Sequence, residues 1–316
     1  MDTILFLKPV FQERIWGGHR LYPYFPELSA AFHGNKIGEC WAISAHKNGQ
    51  SIIENGPYAG WELAKLYQEQ PSIFGFPEKK DFPLLVKILD ASSNLSVQVH
   101  PDDAYGLKVE NELGKTECWY VLACDDNASI IYGHTAKTRA EFAQRIEDKQ
   151  WAELLSEIPI KKGDFFYVPS GTIHAIKEGT LILEVQQSSD TTYRLYDYDR
   201  VDEQNNPRML HIEKSIAVTT IPHKVEQFIP ITIEDGSMQI TTLVQSDFFT
   251  VQKIIVKNAG TLERIAPYLL GTVSSGTGFI DGVAVQFGSS FIVPNMLKSI
   301  SITGDLELII SWDGCL

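Results

Sequence analysis

Basic residues are in short supply. The 316-residue chain carries 27 Lys and Arg against 40 Asp and Glu, a formal net charge of -13. A surface that tracks a nucleic-acid backbone needs concentrated positive charge, so a broad nucleic-acid partner is excluded. An anionic small molecule remains open, provided a local basic pocket works against the global field. Cysteine is scarce as well. Cys40, Cys118, Cys124 and Cys315 form no C-x-x-C pair and suggest no disulfide framework. The opening MDTILFLKPVFQERIW reaches charge and proline too soon for a secretory signal, and no apolar run is long enough to span a bilayer. A soluble, cytoplasmic chain with no membrane partner is expected. Neither G-x-G-x-x-G nor a Walker sequence occurs, so a nucleotide-binding fold has no local support.

What is abundant points to strands. There are 16 Phe, 12 Tyr and 6 Trp, and 23 Gly with 15 Pro punctuate short β-branched segments. Strands are expected at 36–46, 82–89, 95–100, 116–122, 129–132, 164–168 and 180–186, and further on at 237–244, 248–256, 283–293 and 304–311. Helical periodicity is confined to 58–68 and 138–155, where Thr138 can cap with Glu141 three residues on. Such a pattern predicts an all-β-dominated chain of closed or sandwiched antiparallel sheet. The stretch 205–225, with Pro207 and Pro222, reads as a connection. Residues 1–225 are then expected to form the catalytic domain, with a small helical insertion around 138–155, and 226–316 a smaller β-rich domain.

Histidine is rare enough that its placement is informative. In LSVQVH, Gln98 and His100 are two apart and share one strand face, with Val97 and Val99 on the other. In KTECWYVL, alternation puts Lys115, Glu117 and Trp119 together; a carboxylate in so apolar a segment needs a partner or a metal. In KKGDFFYVPSGTIHAI, a Pro169–Gly171 turn delivers His174 onto the next strand. Singly, each has a bland reading as a polar strand end, a Lys-paired glutamate or a structural histidine. Together, Gln98, His100, Glu117 and His174 form a credible N/O ligand set for a divalent ion. Zinc is the simplest case, and iron, manganese and cobalt are also compatible.

The spacing Gly163-x5-Pro169-x-Gly171-x2-His174 is similar to the second cupin motif, and Gln98-x-His100 with Glu117 resembles a first cupin motif split by an insertion between Pro101 and Lys115. More closely, the chain resembles the type I mannose-6-phosphate isomerases in their short bacterial form. The resemblance runs through IWGG (Ile15–Gly18), GECWAIS, PLLVKILDASSNLSVQVHPDD, KTECWYVL, GDFFYVPSGTIHAI and LEVQQSSDTTYRLYDYDR. It covers roughly the first two-thirds of the chain.

The resemblance implies a cupin-type double-stranded β-helix (jelly-roll) barrel with a second, cupin-like C-terminal domain. It also implies one zinc ion per chain on Gln98, His100, Glu117 and His174. The implied reaction is the interconversion of mannose 6-phosphate and fructose 6-phosphate through a cis-enediol. Further family positions match Lys87, Lys115, Glu184 and Arg194, and Arg200 stands where longer relatives carry a lysine. Glu184 is the first choice for general base, Arg194 for the stabiliser of developing negative charge, and Lys115 for a group acting on the sugar oxygens. Lys87 and Arg200 are candidate substrate contacts. The expected partner is a small sugar phosphate, and a monomer is expected with a homodimer left open. Two rivals stand beside this reading. One is another metal-dependent cupin enzyme, a dioxygenase or a different sugar isomerase. The other is a sugar-binding cupin without catalysis, which leaves the grouped Lys87, Lys115, Glu184 and Arg194 unexplained.

Overall fold

The structure is a computed structural model, which describes residues 3–201 and 205–314. Its contacts divide the chain into two units, one of Arg14–Arg20 with Leu89–Gln227 and one of Met1–Glu13, Leu21–Ile88 and Phe228–Leu316.

Every metal-ligand candidate falls in the first of these units. Its strands are β1 (Val97–Val99), β2 (Glu117–Cys124), β3 (Ser129–His134), β4 (Leu155–Pro159), β5 (Phe165–Val168), β6 (His174–Ile176), β7 (Thr180–Gln187) and β8 (Tyr193–Tyr196). One sheet runs β4-β3-β6-β1-β8, and β5-β2-β7 are consecutive in a second. The two face each other across an apolar layer that includes Trp119, Val121, Val168 and Ile182 from one sheet and Ile130, Tyr132 and Ile176 from the other. Tyr132 Oη donates to the Tyr167 carbonyl at 2.5 Å and ties the sheets together. The outer face of the five-stranded sheet buries Val97, Val99, Ala175, Tyr193 and Leu195 with Phe142 and Ile146. Because strand faces alternate, Gln98, His174 and Arg194 are left to point between the sheets.

Four short helices cover this unit: α1 (Asp103–Val109), α2 (Arg139–Glu147), α3 (Trp151–Leu154) and α4 (Ile212–Val218). Thr138 caps α2 as expected, its side chain accepting from Glu141 N at 3.1 Å. The single helical segment expected over 138–155 is broken, because Lys149 adopts a left-handed φ of 54° before α3 begins. The insertion after Pro101 is α1, and the connection expected at 205–225 holds α4. The run expected at 283–293 is two strands, Val283–Gln286 and Ser290–Val293.

The expected cupin barrel does not form. Among the described residues no sheet closes on itself, and β4 and β8 remain as edges of the five-stranded sheet. The physical reason is visible at β8. Closure would require the outer backbone groups of that strand to pair with another strand. They are already used: His211 N donates to the Arg194 carbonyl at 2.7 Å, and Arg194 N donates to His211 Nδ1 at 3.2 Å. The all-β-dominated character stands, with cupin-like sheets in an open, two-layered arrangement.

The other unit is built on a ten-stranded sheet in which Leu5–Lys8 and Ile52–Ile53 join the C-terminal strands. Ile254, Phe291, Ile302, Leu308 and Trp312 are among the residues of its core. No helix among the described residues is long and apolar enough to cross a membrane.

Candidate metal centre

Two tight turns and two ladders build the site. Pro101 follows the end of β1 and leaves His100 at the strand tip. Gly171, at φ +84°, makes the turn that starts β6 at His174. His174 lies opposite Gln98 across the β6–β1 pair, and Arg194 lies opposite the same Gln98 from β8. In the other sheet, Glu117 is opposite Gln186, and Trp119 is opposite Glu184. The side chains singled out on these strands are thus carried by facing sheets of one unit.

His100, Glu117 and His174 converge. Their ligand atoms all lie within 4.8 Å of one another, and each residue is at most 1% exposed. His174 Nε2 is 3.3 Å from Glu117 Oε1, and His100 Nε2 is 3.5 Å from Glu117 Oε2. The remaining ring nitrogens fix the tautomers. His100 Nδ1 donates to the Thr191 carbonyl and His174 Nδ1 to the Thr172 carbonyl, both at 2.9 Å. A carbonyl can only accept, so each neutral ring directs its Nε2 lone pair inward. Burial drives the His174 pKa down to about 4, which keeps that imidazole neutral. Two lone-pair nitrogens and a carboxylate directed at one another in a water-excluded space suit a divalent cation. They fit a metal ion by donor chemistry and by orientation.

Around this triad, Gln98 Nε2 is 3.3 Å from His174 Nε2, so turning the amide over brings its oxygen to the ligand side. Lys115, 4% exposed, has its Nζ 3.4 Å from Glu117 Oε2. Glu184 is buried, and its Oε1 accepts from the Trp119 indole N–H at 3.0 Å.

Arg194 donates from NH1 to the Met209 carbonyl at 2.8 Å. Burial, with Arg208 nearby, lowers its pKa. Arg200 is tied to Asp197 and to the Asn94 carbonyl. Lys87 belongs to the other unit, where it is buried with its Nζ 5.1 Å above the Trp41 ring.

Sequence reasoning missed four contributors. Trp119 was grouped with Glu117 but not as a donor to Glu184. The Thr172 and Thr191 carbonyls act through backbone atoms and carry no residue-type signal. Arg208, in NNPRML, joins Asp197 through two hydrogen bonds, and nothing in its local pattern marks it.

Comparison with known proteins follows the same line. Residues 4–120 match the model of the phosphomannose isomerase type I catalytic domain, and residues 239–312 match the mannose-6-phosphate isomerase cupin domain. The chain is 51% identical to the probable mannose-6-phosphate isomerase GmuF of Bacillus subtilis, over 98% of this chain and 99% of that one. The chain belongs to the type I mannose-6-phosphate isomerases. It is 50% identical to the mannose-6-phosphate isomerase of Streptococcus mutans, over 98% of both chains. The crystal structure of the mannose 6-phosphate isomerase from Bacillus subtilis superposes with a TM-score of 0.92 at 42% identity, covering 98% of this chain and 100% of that one. It is an enzyme of the type I family, and its buried His–Glu–His centre is consistent with the catalytic site of such an isomerase.

Proposed function

We propose that this isomerase interconverts mannose 6-phosphate and fructose 6-phosphate by moving a proton between C1 and C2 through a cis-enediol, with one zinc ion per chain. The observation that carries the reading is the convergence of His100, Glu117 and His174 in a water-excluded space, in a chain of this family. Gln98 completes the ligand set. Two imidazoles, one carboxylate and one amide oxygen form a mixed N/O set that suits zinc. When bound, the ion supplies Lewis acidity to the sugar's carbonyl and adjacent hydroxyl.

The chain's own groups do the remaining work. Glu184 is the general base. The Trp119 indole N–H grips one of its oxygens, so the carboxylate is oriented before substrate arrives. It takes the proton from C2 of the aldose and returns it at C1. Lys115 neutralises part of the Glu117 charge and places a cation beside the sugar oxygens. Arg194 offers guanidinium N–H groups to the oxygen that becomes anionic. Arg200 contacts the phosphate end.

The partner implied is a small sugar phosphate, with neither nucleic acid nor membrane. A monomer suffices, because the grouped side chains all come from one unit of one chain. The thiols of Cys40, Cys118 and Cys124 are free, which supports a reducing, cytoplasmic setting.

A coupled assay on chelated and zinc-reconstituted protein tests the proposal. Activity is expected to disappear with the metal and return with zinc. Full turnover in protein shown by elemental analysis to be metal-free sinks the metal role.

A further inference from the structure

Beside the metal centre lies a set of charges that does not balance by itself. Asp197 follows β8 and is 5% exposed. Its carboxylate accepts from Arg208 Nε at 2.8 Å and Arg208 NH2 at 2.5 Å, and from Arg200 NH2 at 2.5 Å. Arg194 stands nearby without an acidic partner among the described residues, and it is linked through NH1 to the carbonyl of Met209, the residue after Arg208. Its Nε is shielded from solvent, and among the described residues nothing accepts from it. Among the described residues, the three guanidinium groups of this cluster share one carboxylate and so carry an excess of positive charge. Such an excess calls for an anion, and a phosphate monoester near neutral pH carries a charge of about -1.5 to -2.

The backbone around Asp197 is built for this arrangement. Tyr198 and Asp199 both adopt left-handed φ, 56° and 53°, which non-glycine residues rarely do in succession. That turn brings Arg200 back so that its N–H donates to the Asp197 carbonyl at 3.1 Å and its guanidinium meets the carboxylate. Arg208 grips Asp197 through Nε and NH2, which leaves NH1 to reach a ligand.

Position also fits. Gln98 lies between His174 and Arg194 across three adjacent strands, so Arg194 stands one strand spacing, about 5 Å, from the ligand Gln98 and two from His174. Arg200 and Arg208 lie close enough to Arg194 to act on its charge, so the same cluster can meet the far end of a hexose held at the triad.

We propose that Arg208 is a phosphate-binding residue of this isomerase and that Asp197 is the positioning residue that aims it. The proposal rests on the isomerase reading above and adds residues that reading does not use.

The test separates aiming from plain charge. Asp197→Asn removes the one carboxylate and so makes the cluster more positive, so a merely electrostatic Asp197 predicts tighter anion binding. A positioning Asp197 predicts the opposite sign. With the zinc-loaded full-length protein, inorganic phosphate is titrated by 31P NMR, and KM and kcat are measured for mannose 6-phosphate. Arg208→Ala is expected to weaken phosphate and raise KM about tenfold or more, the loss of one charged hydrogen bond, with kcat and zinc content little changed. Arg208→Lys recovers only part, since a point charge cannot serve Asp197 and phosphate together. Asp197→Asn is expected to weaken phosphate as well.

Unchanged or tighter phosphate binding in Asp197→Asn, or unchanged KM and phosphate affinity in Arg208→Ala, overturns the proposal. Wild-type protein that binds inorganic phosphate through Arg208 but does not interconvert the hexose phosphates leaves the clamp standing and removes the isomerase reading instead.

Discussion

Glu117 has no exposed surface, and two imidazole lone pairs are directed at it. That arrangement suits a cation and burdens the metal-free protein. Glu117→Gln is therefore expected to lower metal affinity beyond the roughly 10–100-fold typical of an outer partner. It should also destabilise the metal-free protein, because it takes from the buried Lys115 ammonium the carboxylate that stands 3.4 Å away. Metal titration and urea melts of the stripped proteins check the two halves separately. Glu184→Gln keeps an oxygen for the Trp119 indole but removes the proposed base. A fall in kcat of about 10²–10⁴, loss of solvent deuterium incorporation at C2 and unchanged zinc content are expected. Exchange at the wild-type rate would move the base elsewhere. The residues behind these predictions were legible because period-two alternation and one Pro–Gly turn fix their faces. Asp197 with Arg208 was not, since an ion pair spanning an irregular loop has no period to follow.

At the scale of elements, the strands of the site-bearing unit appear close to where β-branched and aromatic runs placed them. The helices were harder to read. The seven residues of α1 and of α4 make barely two turns, too few for a 3.6-residue repeat to stand out. Three histidines lie where these elements meet: His134 ends β3, His211 precedes α4 and His223 follows it. Burial, first among the causes, lowers the pKa of each below 6.5. The unfolded chain then binds more protons than the folded one as pH falls through that value, so folding weakens on acidification. Urea midpoints in excess zinc should drop between about pH 7.5 and about pH 6, above the window in which Glu110, Glu141 and Glu157 begin to protonate. The drop should shrink in His134→Gln, whose amide can still donate to the Thr220 carbonyl that His134 Nε2 contacts at 3.0 Å.

For the whole molecule, composition separated sheet from helix but could not decide how the sheets end. Closure depends on what meets the edge strand, and at β8 that is His211, 17 residues on from the Arg194 it pairs with. The net charge of -13 is likewise a sum that hides its exceptions. It bears on solubility, while Lys115, Arg194, Arg200 and Arg208 are the groups proposed to set the sign where a substrate would sit. Metal that binds only the folded chain must stabilise it by linkage. With free zinc near 100 times its dissociation constant the gain is about 2.7 kcal/mol, so chelation should lower the melting temperature of a chain this long by about 4 °C. An unchanged melt would mean that the triad holds no ion in solution.

Leu5–Lys8 pairs antiparallel with Ser290–Val293, Leu5 standing opposite Ile292 across 287 positions of chain. A ribosome adding about 5–20 residues per second needs ~15–60 s to supply that partner. Until then this apolar strand can pair only along its other edge, with Ile52–Ile53. The strands that carry Gln98, His174 and Arg194 lie within 100 residues of one another and can meet while synthesis continues. In the cell the metal-binding half should therefore take shape first, with Leu5 and Leu7 a waiting client for chaperones until translation ends.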